Sequence, residues 1–598
     1  MEHQYTKIIE KYTALRKKGE PLFYALGVAK FLLLAAFIGA CVWCFRADFA
    51  VPALVSAGAS LLLSIVLWIA HARVHKRLDF YTQTAEAAQR YLQRISGDWV
   101  TFEDCGAEFA DAEHPYCADL DIAGKKSLFQ LLNVTHTRHG RLRFAADLLR
   151  ADYTPAQITA RQAAVAELAR QSDFLCRFQC TAAPIGTDES IENAIRALQD
   201  SEPFLRSSLL CSALLWLPAV TVTLAALSAA LPQNRPLSLA SKALMAAQGL
   251  LWLAGIRKQN RYLSGVSGVP TVFSRYADLI ALTVQTEFDA PLLRELRQSV
   301  AEASKAVRAL DSIVSKTQVK GNALLYFILN VLLLWDYRCA IRLSRWKKRY
   351  AAQCETWFLR LGEMESLMSL AGLPNVCETT CMPAVVEGSA RIEALQIGHP
   401  LLKNSLRVGN DFSMTDLPEI DIISGSNMSG KTTFLRTVGI NLALLRAGGA
   451  VCARELRSGL FSPVTSMRIA DDLSEGVSTF YYELRRVAKI IELARKERDG
   501  GSAQLYFLID EIFRGTNSED RLSGANAVLR ELEACGAGGM ITTHDLALCD
   551  LAQTENAMCN YSFCESYEGE EMHFDYQLRT GKSTSTNARF LMRQIGIS

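Results

Sequence analysis

The sequence predicts an α/β domain at its C-terminal end, preceded by an all-α region that carries apolar helical hairpins. Three observations lead there. The glycine-rich stretch Gly425 to Thr432 sits between an apolar strand pattern and a helix pattern. A second apolar run, Leu505 to Ile509, ends in two adjacent carboxylates. The residues are 50% hydrophobic, and the apolar ones gather in long uncharged stretches instead of spreading evenly.

From Phe49 to Ala72 there is no Asp, Glu, Lys or Arg. At about 1.5 Å per helical residue this stretch crosses a hydrocarbon core of roughly 30 Å. Leu22 to Phe45 is similarly apolar except for Lys30, which must snorkel or face a partner helix. The two read as a transmembrane hairpin with a minimal turn at Arg46-Ala47-Asp48. A second hairpin is expected from Ser207 to Asn234 and from Pro236 to Ile256, its returning helix interrupted by Lys242 and open to reading as a buried core helix. Basic residues flank the outer ends: Lys7, Lys11, Arg16, Lys17 and Lys18, then Arg73, Lys76 and Arg77, then Arg257, Lys258 and Arg261. Among basic residues the turns hold only Arg46 and Arg235. That asymmetry predicts a multi-pass protein of a bacterial-type inner membrane, with both termini and the C-terminal domain in the cytoplasm. The first apolar segment lies too far from the start, and lacks a small-residue cleavage site, for a removed signal peptide.

Between and beyond the hairpins the pattern is helical. Leu324, Phe327, Ile328, Val331 and Leu334 recur at spacings of three and four, and the run is too short for a fifth span. The 16 cysteines show no pairing pattern, which fits a reducing compartment. Cys176 with Cys180 and Cys377 with Cys381 have helical spacing, but no second pair completes a zinc set. A net charge of +2 gives no global basic field of the kind nucleic-acid binders carry. The cluster Arg342, Arg345, Lys347, Lys348 and Arg349 around Trp346 reads as the solvated face of a helix in preference to a phosphate-contacting patch.

In the C-terminal domain, Glu419 to Ser424 reads as a strand and Lys431 onward as a helix. The loop between them, Gly425, Ser426, Asn427, Met428, Ser429 and Gly430 followed by Lys431, Thr432 and Thr433, is a P-loop, in which backbone N–H groups and a helix N-terminus hold phosphates. Lys431 would neutralise the β- and γ-phosphates of ATP, and the Thr432 hydroxyl would sit on Mg²⁺. The strand Leu505 to Ile509 should lie beside the P-loop strand. Asp510 would hold the metal, and Glu511 would orient or deprotonate the attacking water. A third short strand, Gly538 to Thr543, ends at His544, whose imidazole would sense the γ-phosphate.

Four blocks in one order, Gly425 to Arg436, Ser478-Thr479-Phe480 with Glu483, Asp510 to Ser518 and Thr543-His544-Asp545, resemble the ATPase of the MutS DNA mismatch-repair family, a branch of the ABC-type ATPases. The resemblance implies a composite site in which Ser478 reaches the γ-phosphate bound by a second subunit, so that the active form is a homodimer. It implies that Arg514 to Asp520 cross the dimer interface. Read from the residues alone, Ser478 is a helix N-cap, with Phe480 and Tyr481 as core. The blocks His114 to Leu120, Gly124 to Phe129 and Ile158 to Val165 look like the helical core that precedes the ATPase in that family, and His399-Pro400-Leu401-Leu402 like the passage into it. On this reading residues 1–80 hold the first hairpin (about 22–45 and 49–72), 81–206 the first part of the core and 207–258 the second hairpin. Residues 259–395 form the second part of the core and lever, and 396–598 the ATPase.

The family's mismatch-reading domain and DNA clamp have no counterpart block, and the chain stops at Ile595-Gly596-Ile597-Ser598, short of the family's C-terminal helical extension. The sequence therefore predicts a membrane-anchored, MutS-like ATPase that dimerises around ATP and moves helical arms, with double-stranded DNA as the expected ligand and membrane lipid around its hairpins. Two other readings stay open: an ABC-type transport-related protein, which polar residues facing each other across the spans would favour, and an ATP-switched membrane scaffold without DNA.

Overall fold

The computed structural model describes residues 1–46, 51–187, 189–199, 203–205, 207–264, 269–321, 323–415, 417–426, 428–468, 479–498, 504–513, 517–553, 555, 557–568 and 571–583. The chain forms two compact units. One comprises Met1–Val134, Phe144–Cys180 and Ser366–Ser598, the other Thr135–Arg143 and Thr181–Glu365.

The first unit opens with two long antiparallel helices, α1 (Glu2–Arg46) and α2 (Val51–Ser96). Both run well past their apolar stretches. Phe31, Leu32, Val66 and Trp68 stand exposed. Lys30 faces the partner helix, its ammonium 5.2 Å from the centre of the Trp68 ring. Below the apolar part the pair closes on itself through the stacked rings of Tyr5 and Tyr91, 4.5 Å apart. Lys11 pairs with Asp173 at 2.8 Å, and Arg94 donates to the carbonyls of Leu131 and Asn133. Ala47 and Asp48 of the expected turn lie outside the described residues.

The second unit contains α3 (Ser208–Ala230) and α4 (Arg235–Ser264), followed by α5 (Ala323–Leu333) and the first part of α6 (Trp335–Leu370). By length and composition four described helical stretches suffice to cross a membrane: Glu2–Trp43, Gly58–Ser96, Ser208–Ala230 and Arg235–Ser264. The short apolar helix α5 packs through Tyr326 and Phe327 on Trp252 of α4, while Phe327 and Ile328 remain partly exposed. The basic cluster on α6 corrects the sequence reading at one position. Arg342, Arg345, Lys348 and Arg349 are exposed, but Lys347 is buried with its ammonium 5.0 Å from the Tyr262 ring, and burial lowers its pKa to about 8.

The remainder of the first unit is α/β. Its strands are β1 (Ala384–Val385), β2 (Ile392–Ile397), β3 (Asn410–Met414), β4 (Ile420–Ser424), β5 (Glu455–Ser458), β6 (Phe461–Ser466), β7 (Gln504–Asp510), β8 (Gly538–Thr543), β9 (Met558–Glu568) and β10 (Glu571–Thr580). A small sheet has the order β1-β5-β2-β3, and the central sheet β10-β9-β4-β8-β7-β6. From β9 to β6 the central sheet is parallel, with β10 antiparallel at its edge. Strand β7 is therefore not the neighbour of the P-loop strand β4, as expected from sequence; β8 lies between them. Gly538 and Gly539 allow this insertion, since a Cβ on Gly539 would fall 2.2 Å from the Phe507 carbonyl oxygen. Ile422, Phe507, Ile509 and Ile541 build the core on one face, against helices α7 (Thr479–Arg498) and α8 (Ser518–Ala534).

Other expectations are also corrected. Phe480 packs against Phe513, with ring centres 5.7 Å apart, but Tyr481 is exposed and belongs to no core. Cys377 follows a 3₁₀ turn and Cys381 makes an isolated β-bridge, so the helical spacing of that pair is coincidental.

Two of the upstream blocks anchor the α/β part; residues 158–165 are helical as expected, but residues 114–120 form a run of bends and turns. Asp119, fully buried, accepts from the Thr465 hydroxyl (2.8 Å) and the backbone N–H groups of Met467 and Arg468, and pairs with Arg486 at 2.6 Å. Arg161 pairs with Asp147 at 2.5 Å and donates to the Ala447 carbonyl at 2.8 Å, all buried. Replacing Arg161 by Met leaves the Asp147 carboxylate without its cation in a dry site. The expected loss is about 3–5 kcal/mol, read as a fall in the thermal unfolding midpoint.

In the second unit Glu365 is enclosed, accepting from the N–H groups of His136 and Thr137 and bonded to the Thr137 hydroxyl. Burial raises its pKa from 4.5 to about 7. The unfolded chain therefore releases this proton first, and stability falls as pH rises from 4.5 towards 7, then levels off. Glu365→Gln keeps the neutral shape. It should flatten that slope and make the protein more stable than wild type at pH 8 by about 3 kcal/mol, measured by denaturation across pH.

Candidate functional site

Parallel pairing brings the C-terminal ends of β4, β8 and β7 to one edge of the sheet, with Ser424 beside Thr543 and Asp510 beside Thr542. After β4 the chain turns through a loop into a helix at Lys431–Arg446. Two glycines make the loop feasible. Gly425 has φ 149° and a Cβ there would lie 2.7 Å from the Phe563 carbonyl oxygen; Gly430 has φ 106° at the helix N-cap. The loop thus leads into a helix N-terminus, whose first N–H groups have no partner within the helix itself, the usual basis of an anion cradle.

Lys431 folds back over the loop. Its buried ammonium donates to the carbonyls of Gly425 (2.9 Å) and Ser426 (2.8 Å) and lies 3.3 Å from His544 Nε2. His544 Nε2 is in turn 2.5 Å from a Glu511 carboxylate oxygen. The Thr432 hydroxyl shares its donation between both Asp510 oxygens at 3.0 Å, and the Thr542 hydroxyl donates to the same carboxylate at 2.6 Å. Thr542 Oγ1 also accepts the Glu511 N–H at 3.1 Å. Glu511 itself has φ 53°, a left-handed conformation that costs about 1 kcal/mol or more in a non-glycine residue. The turn is held by Thr542 and aims the carboxylate at His544.

A cavity of about 490 Å³ adjoins this edge. One wall carries Lys431, Thr432, Thr433 and Glu511; the other is formed by His399, Leu406, Phe563 and Tyr576. Burial and the charges of Arg436 and Arg407 lower the His399 pKa to about 3, so its ring is neutral. Two features fit a phosphate with a hard cation. Ser429 Oγ is buried in the loop without a hydrogen-bond partner among the described residues, and the Thr432–Asp510 pair offers oxygen ligands only.

Of the residues expected from sequence, Gly425, Ser426, Met428, Ser429, Gly430, Lys431, Thr432, Thr433, Asp510, Glu511 and His544 gather at this edge. Asn427, Ser478, Arg514, Gly515 and Thr516 lie outside the described residues. Sequence reasoning missed Thr542, Glu565, which accepts from the Ser426 hydroxyl at 3.0 Å, and Tyr576. Only strand register reveals Thr542. Tyr576 and Glu565 come from a hairpin distant in sequence that carries no motif.

Residues 421–589 match the protein family described as MutS domain V. The DNA mismatch repair protein MutS of Thermotoga neapolitana is 32% identical over 194 residues, covering 32% of this chain and 23% of that protein. The MutS of Symbiobacterium thermophilum is 27% identical over 363 residues, covering 56% and 38%. That of Desulforamulus reducens is 24% identical over 398 residues, covering 62% and 43%. The chain thus aligns with less than half the length of each of these relatives. Residues 421–589 form a MutS-family ATPase domain, a module that hydrolyses ATP.

Proposed function

We propose that this chain is a membrane-anchored MutS-like ATPase in which ATP bound between two subunits drives movement of the helical arms, with double-stranded DNA as the ligand of those arms. The observation that carries the ATP chemistry is the convergence of Lys431, Thr432, Asp510, Glu511 and His544 from three strand ends onto one edge of a cavity. Lys431 neutralises the β- and γ-phosphates. Thr432 and Asp510 hold Mg²⁺, which when bound offsets the phosphate charge. Glu511 orients the attacking water and takes up its proton, and His544, in contact with both Glu511 and Lys431, senses the γ-phosphate. The apolar wall with Tyr576 and Phe563 suits the nucleotide base. Ser478 acts on the second subunit's nucleotide. The homodimer and DNA follow from the resemblance to MutS proteins; the membrane anchor follows from the four apolar helices.

One observation supports the transport-related reading beside it. Within the apolar helices α3 and α4, the Gln248 amide donates to the Thr221 hydroxyl, both buried, so polar groups do face each other across the second hairpin.

ATP hydrolysis by the full-length protein in detergent, with and without duplex DNA over a range of salt, separates the two. Stimulation that fades with salt supports DNA engagement; turnover indifferent to every duplex refutes it and favours the membrane reading. Glu511→Gln should retain ATP binding while turnover falls about 100-fold or more, and normal turnover in that variant would overturn the assignment of the base. Lys431→Ala should instead weaken binding of a fluorescent ATP analogue by about tenfold or more.

A further inference from the structure

We propose that Glu419, Asp421 and Cys559 form a binding site for a divalent cation of the zinc class, at the end of the β4–β9 strand pair opposite the phosphate-binding loop. The placement follows from the backbone. The parallel register sets Asp421 directly beside Cys559, and the two-residue period of a strand puts Glu419 on the same face as Asp421. One ligand atom from each of the three residues lies within 4.8 Å of the other two.

A second, independent observation points to a ligand. Asp421 is fully buried, and neither of its carboxylate oxygens has a hydrogen-bond partner among the described residues. The buried hydroxyl of Tyr506, whose ionisation Asp421 opposes, has none either. A carboxylate orphaned in this way costs several kcal/mol unless it is neutralised or bound. A cation at the centre would satisfy all three groups together. Glu419 is already oriented for this, since one of its oxygens accepts from the N–H (3.1 Å) and hydroxyl (2.8 Å) of Thr415.

The donor set selects the ion. One thiolate with two carboxylates suits a borderline metal, whereas magnesium and calcium prefer oxygen alone. Zinc bonds of about 2.0–2.3 Å require the ligand atoms to close by about 1 Å, a displacement that side-chain rotation supplies. The bound ion would tie the start of β9 to β4, about 13 Å along the strand from the loop that holds phosphate.

The test uses full-length protein in detergent, freed of metal by chelation and titrated with Co²⁺. One Co²⁺ per chain should bind with a thiolate-to-cobalt charge-transfer band, Zn²⁺ should displace it, and Cys559→Ser and Asp421→Asn should each abolish it. Zn²⁺ at 100 times its Kd should raise the unfolding midpoint of the wild type by about 5 °C and leave both variants unmoved. Absence of the band, or its survival in both variants, overturns the proposal. So does an Asp421→Asn protein that takes up no metal and matches or exceeds the stability of Zn²⁺-treated wild type, which would make Asp421 a buried neutral acid. If Asp421→Asn does not fold, Cys559→Ser decides alone, because its only partly buried position tolerates the near-isosteric exchange.

Discussion

The Asp510 carboxylate is the constraint on which the site depends. It receives one hydroxyl from the helix that follows β4 and another from the end of β8, and so fixes the relative positions of three chain segments far apart in sequence. A carboxylate bonded by two hydroxyls in a nearly dry setting is held in one orientation. Because Thr542 also accepts the Glu511 N–H, the same cluster holds the left-handed turn that aims Glu511 at His544. Losing any of these contacts would free the turn to relax towards ordinary backbone angles.

Around this centre the first unit uses buried charge as a fastener. Asp119, from a turn, and Arg161, from a helix, both lie upstream of the ATPase sequence, yet their partners are Thr465, Arg486 and the Ala447 carbonyl within it. Such pairs add little net stability over apolar packing, but each is costly to break and tolerates only one geometry. They therefore couple the α/β part to the segments before it.

The apolar helices show the same economy. Lys30, the one formal charge in its stretch, meets the face of Trp68, and Gln248 meets Thr221. In an apolar medium each polar group needs a local partner, and neighbouring helices supply it.

The sequence by itself determined the local chemistry. The loop from Gly425 to Thr432 has glycine at Gly425 and Gly430, where φ is positive, strands β4, β7 and β8 follow from buried apolar runs, and the long uncharged helices follow from composition, because each rests on short-range rules. Only the tertiary structure decided strand order and what lies across the sheet. That β8 separates β4 from β7, that Thr542 thereby reaches Asp510, that Tyr576 closes the cavity, that Lys347 is buried, and that Asp421 meets Cys559 are all consequences of long-range pairing. Parallel strands are joined by crossovers whose sequence does not encode the neighbour, so register and order are set by packing of the whole domain.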